Sequence, residues 1–188
     1  MSRAGLALGQ ELTVTPLQLA LAYAVFANGG WLPEPRLVNR MSGVDGAHSD
    51  RIRYRAHVMG ERLARRVTDM LEGVVSDGTG LHARVAGYRV AGKTGTAQNV
   101  FEGGFDDEHH TAWFAGFLPL PDPRWVVVVA VENPRSTFWA SSVAAPLFAK
   151  VAEAVVRFEG AVPSEPVAAH AASETVQESR GVQDAYEG

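Results

Sequence analysis

The segment Gly92–Lys93–Thr94–Gly95–Thr96 holds the densest potential chemistry in this 188-residue sequence. Lys93 and Lys150 are the only lysines; the other 15 of the 17 basic residues are arginines. A side-chain ammonium is a compact charge that favours an anionic ligand group and can hold a neighbouring hydroxyl. Thr94 and Thr96 present hydroxyls able to donate to a carboxylate. Gly95 has no side chain, so a ligand's backbone can lie close against the chain there. On an exposed strand edge, the backbone N–H and C=O groups can also receive an extended peptide as an added strand. The N–H of Thr96 is then placed to stabilise an oxyanion. A bare K-T-G recurs by chance, however, and its alternative is an ordinary strand that carries a lysine.

The elements that must position this segment read as an α+β pattern: two helices, three antiparallel strands and a last helix. The first helix spans about 15–28. Thr15 is its N-cap, Pro16 suits the first helical position, and Gln18 completes a capping box. Asn28–Gly29–Gly30 ends it. Leu17, Leu19, Leu21, Val25 and Phe26 make this helix apolar nearly all round, which predicts burial on more than one face. Residues 31–58 carry Pro33, Pro35 and turn residues, with a short strand predicted near Leu37 and Val38. A second helix over 60–75 has a predicted buried stripe of Leu63, Val67, Met70, Leu71 and Val74, and ends at Gly78–Thr79–Gly80.

Strands are predicted at 88–98, 111–118 and 124–132, the last with four consecutive valines, Val126 to Val129. The link 119–123 is too short for a parallel crossover, and Gly103–Gly104 argues against a helix in the link 99–110, so both neighbours are expected to be antiparallel. A last helix over 142–158 is predicted to bury Val143, Leu147, Val151 and Val155. It turns Lys150, Glu153 and Arg157 to water, with Pro146 in its first turn. The folded unit is expected over 1–159, with 160–188 a disordered tail.

Composition narrows the function classes. Apolar residues make up 46% and charged residues 20%, which is ordinary for a globular chain. A net charge of −4 gives no basic field for nucleic acid or an anionic membrane. The Arg62, Arg65, Arg66 trio is interleaved with Asp69 and Glu72 and reads as a solvated helix face. There is no cysteine, which excludes disulfides, thiolate metal sites and a cysteine nucleophile. Asp106, Asp107, Glu108, His109 and His110 read as a solvated loop between strands rather than a metal cluster. No metal or other cofactor is expected. Met1–Ser2–Arg3 opens no signal-peptide pattern, and no apolar run reaches the ~18 residues needed to span a membrane. Trp113 and Trp125 read as sheet aromatics, while the loop carrying Trp139 could rim a cleft.

The context of the K-T-G resembles the transpeptidase domain of class B penicillin-binding proteins over about residues 5–158. K-T-G is the third element of serine β-lactamases and penicillin-binding proteins, beside S-x-x-K and S-D-N. The resemblance rests on Thr15–Pro16–Leu17–Gln18–Leu19–Ala20, on Ala27–Asn28–Gly29–Gly30 and on Gly78–Thr79–Gly80. It continues through Val90–Ala91–Gly92–Lys93–Thr94–Gly95–Thr96–Ala97–Gln98 and Trp113–Phe114–Ala115–Gly116–Phe117. It ends in Glu132–Asn133–Pro134 and Val143–Ala144–Ala145–Pro146–Leu147–Phe148, most like the septal, division-type members.

By this resemblance the fold is a partial β-lactamase/transpeptidase-like one, a three-stranded antiparallel sheet covered by helices. The implied activity is a D,D-transpeptidase that cross-links peptidoglycan stem peptides through a serine acyl-enzyme. The implied ligands are the D-Ala–D-Ala end of a stem peptide and β-lactams. Lys93 and Thr96 carry over as catalytic residues; Thr94, Gly95 and Thr96 carry over as substrate-binding residues. The resemblance also implies cell-division or elongation membrane proteins as partners of the parent protein, no nucleic acid, and a place on the extracytoplasmic face of the bacterial membrane. A serine β-lactamase, a β-lactam sensor domain and a non-catalytic truncated remnant stay open as alternatives.

The nucleophile of that chemistry is not in the sequence. The residues three before the two lysines are Val90 and Leu147, so no S-x-x-K exists, and no serine has asparagine two residues on. Both family elements lie upstream of the segment resembling Thr15–Ala20. The chain is therefore expected to be the C-terminal part of a transpeptidase domain, lacking the domain's N-terminal strands and helices. The strand at 124–132 is mid-sheet in the family and would be a flat, Val-rich edge here. Alone, the chain is expected neither to be acylated nor to fold stably.

Overall fold

The computed structural model describes residues 12–37, 52–101, 104–135 and 137–165. In chain order these form helix α1 (Pro16–Ala27), strands β1 (Trp31–Pro33) and β2 (Tyr54–His57), and helix α2 (Glu61–Asp77). A single 3-10 turn (Leu81–Ala83) leads to β3 (Ala91–Phe101), β4 (Gly104–Leu118), β5 (Trp125–Glu132) and helix α3 (Ala144–Phe158). The α+β pattern holds. β3, β4 and β5 make one antiparallel sheet in that order, and β1 pairs with β2 in a separate antiparallel ribbon.

The start of α1 is as its sequence predicts. Thr15 Oγ1 accepts from the Gln18 N–H at 3.2 Å, and Gln18 Oε1 accepts from the Thr15 N–H at 2.8 Å. Two otherwise orphaned helix-end donors are thereby satisfied. The predicted all-round burial of α1 is not found among the described residues: Val25 alone is buried, and Leu17 is half exposed. The sheet is a plane and can cover only one side of a cylinder.

Pleating sorts the strand residues onto two faces, because successive side chains alternate. On one face Ala112, Phe114 and Leu118 of β4, with Val129 of β5, pack under Ala145, Phe148, Ala152 and Val156 of α3. On the other, Ala91 and Phe117 meet Tyr23 and Phe26 of α1 and Leu71 of α2. Phe114 and Phe148 are both fully buried, with ring centroids 4.6 Å apart.

Three further sequence expectations are corrected. The stripe predicted for α3 is one position out of phase: Leu147 and Val151 are exposed, and the buried face is Ala145, Phe148, Ala149, Ala152 and Val156. In α3 the alanines at 145, 149 and 152 share the buried face with Phe148 and Val156, while Leu147 and Val151 lie off it. In α2 the stripe is partly as predicted: Leu71 packs under the sheet and Val67 and Val74 are half-buried, while Leu63 and Met70 are exposed and Ala64 and Val75 are the fully buried residues. Pro146 does lie in the first turn of α3, and Lys150, Glu153 and Arg157 are exposed.

The second correction concerns residues 99–110, expected as a solvated loop. They continue the β3–β4 ladder, which pairs Gln98 with His110, shifts register between Gln98 and Asn99, and runs on to Phe101 opposite Gly104. The antiparallel sense is as expected, but the connection is a long hairpin. The backbones of Asp106, Asp107, Glu108, His109 and His110 are therefore strand.

The third is the strand expected near Leu37. That residue sits in a bend, Val38 lies outside the described residues, and the strands of this region are β1 and β2.

Past the expected boundary at 159 the chain continues against the β3 entrance. Tyr88 Oη donates to the Ala161 carbonyl at 2.7 Å, and the Arg89 N–H donates to Ser164 Oγ at 3.1 Å. Residues 166–188 of the stretch expected to be disordered lie outside the described residues.

Candidate functional site

Lys93, Thr94, Gly95 and Thr96 lie in the first half of β3, which is an edge of the described sheet. Their register is fixed by β4: Lys93 is opposite Ala115, Thr94 opposite Phe114, Gly95 opposite Trp113 and Thr96 opposite Ala112. Lys93 is exposed. Its Nζ donates to the Thr94 carbonyl at 3.0 Å and to Thr94 Oγ1 at 3.2 Å. The ammonium is thus held along the strand with part of its donor capacity left over, since it carries three N–H groups.

The two threonines are tied to different parts of the molecule. Thr94 Oγ1 lies 2.9 Å from Thr79 Oγ1, in the turn that ends α2. Thr96 Oγ1 accepts the backbone N–H of Ala140 at 3.2 Å. Ala140 is itself buried, so the segment before α3 is seated against β3. That segment also carries a ring ladder. His110 stacks on Phe138 with centroids 4.5 Å apart and planes 19° apart, and Phe138 meets Trp139 at 4.8 Å. Phe138 and Trp139 are both exposed. Trp113 and Trp125 are partly buried on the sheet, as read from the sequence.

The two motif glycines differ. A Cβ on Gly92 would fall 2.6 Å from Phe114 Cε1 and 2.9 Å from the Ala115 carbonyl oxygen, so packing demands glycine there. A Cβ on Gly95 would meet nothing nearer than Trp113 Cβ at 3.7 Å, an ordinary contact. The described fold therefore does not require a glycine at 95. The space above it is open, as close approach of a ligand backbone requires.

The strand is braced from behind. Arg89, two residues before β3, donates from Nε to Glu72 Oε1 at 2.6 Å and from a terminal nitrogen to Glu72 Oε2 at 2.7 Å. The hydrogen bonds from Arg89 to Glu72 raise the guanidinium pKa against the opposing effect of partial burial. This fork fixes α2 to the entrance of β3 with defined geometry.

The sequence singled out Lys93, Thr94, Gly95 and Thr96, and the fold brings these four onto one strand edge. Sequence reasoning missed Thr79 and the Ala140 amide as their partners. Thr79 stood in a motif noted for its glycines, and a backbone N–H has no sequence signature. Among the described residues no three His, Cys, Asp or Glu side chains gather as a metal site. Arg62, Arg65 and Arg66 are exposed on α2, and Arg65 pairs with Glu61 one turn away.

Comparison with known proteins points the same way. The family described as the penicillin binding protein transpeptidase domain matches residues 1–153. Stage V sporulation protein D of Bacillus subtilis is 37% identical over 157 residues, covering 80% of this chain and 24% of that protein. Penicillin-binding protein PbpB of Mycobacterium tuberculosis is 35% identical over 176 residues, covering 87% of this chain and 26% of that protein.

Among solved structures, penicillin-binding protein 3 of M. tuberculosis, complexed with aztreonam, aligns with a TM-score of 0.73 at 32% identity. The match covers 86% of this chain and 39% of that one. The transpeptidase domain of penicillin-binding protein 3 from Burkholderia pseudomallei aligns at 0.68 with 34% identity, covering 81% and 45%. The chain thus spans about a quarter of the length of these curated relatives and under half of these solved chains. Among the described residues no helix is long and apolar enough to cross a membrane.

Proposed function

The chain belongs to the penicillin-binding protein transpeptidase family, and from that premise we propose that it supplies the substrate-binding strand of a peptidoglycan D,D-transpeptidase site. In this proposal the donor stem peptide lies extended along the open edge of β3. Thr94 and Thr96 donate to its C-terminal carboxylate, and the Lys93 ammonium adds attraction for the same anion. Gly95 admits the peptide backbone. The N–H of Thr96 donates to the carbonyl oxygen as it becomes an oxyanion.

The covalent step needs a serine hydroxyl that this sequence does not place before a lysine. That oxygen bonds to the penultimate D-Ala carbonyl carbon, and the amide C–N bond breaks. The serine proton passes to the departing D-alanine nitrogen. An amine of a second peptide then displaces the serine oxygen, which recovers a proton from that amine. β-Lactams enter the same strand-edge site, the opened ring amide replacing the scissile bond. The extracytoplasmic face of the bacterial membrane is where such substrates are met, and division or elongation membrane proteins are the partners this role implies. The resemblance of Val143–Ala144–Ala145–Pro146–Leu147–Phe148 to the septal members supports the septal role among these.

The observation that carries this reading is a sheet-edge strand on which Lys93 Nζ is bonded to Thr94 Oγ1, Thr96 follows two residues on, and Gly95 between them is not required by packing. Two measurements test it. Isotope-labelled chain titrated with N-acetyl-D-Ala-D-Ala is expected to shift the amide signals of residues 92–97; unperturbed signals there overturn the assignment. Fluorescent penicillin followed by denaturing electrophoresis is expected to leave the chain unlabelled. Stoichiometric covalent labelling would show a nucleophile that the absence of S-x-x-K says is not there.

A further inference from the structure

We propose that Thr79 is a positioning residue for the carboxylate site, acting through Thr94 by setting which way the Thr94 hydroxyl proton points. The inference rests on the proposed role of Thr94 as a carboxylate donor. Its structural basis is a three-member chain. Lys93 Nζ donates to Thr94 Oγ1 at 3.2 Å, and Thr94 Oγ1 lies 2.9 Å from Thr79 Oγ1.

A threonine hydroxyl has one proton and two lone pairs. Lys93 has donors only, so it occupies a lone pair of Thr94 whatever else happens. The Thr79–Thr94 bond then has two possible directions. If Thr94 donates to Thr79, its single proton is spent and it presents only a lone pair to an incoming anion. If Thr79 donates to Thr94, both lone pairs are filled and the Thr94 proton is free for the anion. A carboxylate accepts and never donates, so it can bond Thr94 only in the second arrangement. Donation into Thr94 from both Lys93 and Thr79 also polarises its O–H, strengthening the bond to the ligand.

Thr79 is fixed well enough to do this. The N–H groups of Gly78 and Gly80 both bond the Val74 carbonyl, at 3.1 and 2.9 Å, closing the end of α2 around Thr79. A Cβ on Gly78 or Gly80 would fall 2.9 or 3.0 Å from that same oxygen, so the turn has little room to rearrange. The residue is exposed, so its proton has no burial requirement of its own to meet.

The test compares the 188-residue chain with Thr79→Val, which removes the hydroxyl at nearly constant shape, and Thr79→Ser, which keeps it. Each is titrated with N-acetyl-D-Ala-D-Ala and with its C-terminal amide. In Thr79→Val the Thr94 proton loses its fixed direction and its O–H loses one of two polarising donors, so the acid is expected to bind about two- to tenfold more weakly. The amide, which can donate as well as accept, keeps its affinity, and Thr79→Ser restores that of the acid. Equal loss for both ligands would mean a merely structural role and overturns the proposal, as does no loss for the acid.

A ligand-free readout separates this from the reading it rests on. The Thr94 side-chain couplings are expected to show one rotamer in the wild type and averaging in Thr79→Val; unchanged couplings overturn the relay. Wild-type chain that shows the dispersed amide spectrum of a folded protein yet binds neither peptide overturns the carboxylate site itself, and the relay with it.

Discussion

The backbone N–H of Ala140 donates to Oγ1 of Thr96 at 3.2 Å, joining the segment that precedes α3 to the middle of the K-T-G strand. A hydroxyl that accepts this bond keeps its proton for something else. The tie therefore orients Thr96 as a donor as well as seating the loop. Thr96→Val is expected to cost about 1 kcal/mol, because the buried Ala140 amide loses its acceptor. Thr96→Ser should stay close to wild type. Amide exchange at Ala140 decides it: faster exchange in Thr96→Val alone confirms the tie, and equal rates in all three chains remove it.

Gly92 and Gly95 make a matched pair for separating fold from function. Gly92→Ala drives a Cβ into Phe114 and the Ala115 carbonyl oxygen, with backbone on one side and a packed ring on the other. Overpacking of this kind costs about 1–3 kcal/mol. Gly95→Ala meets only Trp113 Cβ at 3.7 Å and should leave the denaturation midpoint nearly unchanged. It should still weaken binding of N-acetyl-D-Ala-D-Ala by about tenfold or more, since the methyl occupies the space proposed for the peptide backbone. A Gly95→Ala chain that binds like wild type would remove the close approach from the proposal.

Arg89 should resist replacement by lysine. The fork to Glu72 uses two nitrogens in one plane, which an ammonium cannot reproduce. Both side chains are partly solvated, at 40% and 23% exposure, so the pair is screened and its loss is worth about 1 kcal/mol rather than several. Urea denaturation of Arg89→Lys and Arg89→Ala is expected to show similar destabilisation, reduced in high salt. A lysine variant as stable as wild type would mean the planar geometry is unimportant.

Tyr23 gives the fold an alkaline limit. Burial between α1 and the sheet, against Phe26 and Phe117, pushes its hydroxyl up to about 12 from the ordinary 10. The folded chain therefore holds this proton more tightly than the unfolded chain. The contribution is intact below pH 10 and is lost as pH rises from about 10 toward 12. A shift of that size corresponds to about 3 kcal/mol. Tyr23→Phe should lose less stability than wild type over this range, as followed by denaturant midpoints at successive pH values. Parallel alkaline losses in both chains would assign the effect to other groups.

How much of this was legible beforehand varies with range. The capping box at Thr15 and Gln18 was readable because the partners are three residues apart. The strand order was readable because short links restrict topology. The phase of α3 was not, since Ala145, Ala149 and Ala152 carry little hydrophobic signal although they lie on its buried face. The K-T-G side chains were readable as a motif. Their partners Thr79 and Ala140 were not, being 15 residues before Thr94 and 44 after Thr96 and joined only by the fold.

The other edge of the sheet makes the last prediction. Trp125–Glu132 pairs with β4 on one side, and no strand covers its other side among the described residues. Its Val126–Val129 run is β-branched and uncharged, a template for pairing with another chain. Ala130 lies in this strand with its side chain exposed, so a charge there disturbs no packing. Ala130→Lys should reduce concentration-dependent light scattering severalfold, because each added strand would bring like charges together. Its far-UV spectrum and denaturation midpoint should match wild type. If scattering is undiminished while the fold is intact, self-association runs through another surface, and the exposed apolar flank of α1 around Leu17 becomes the next to test.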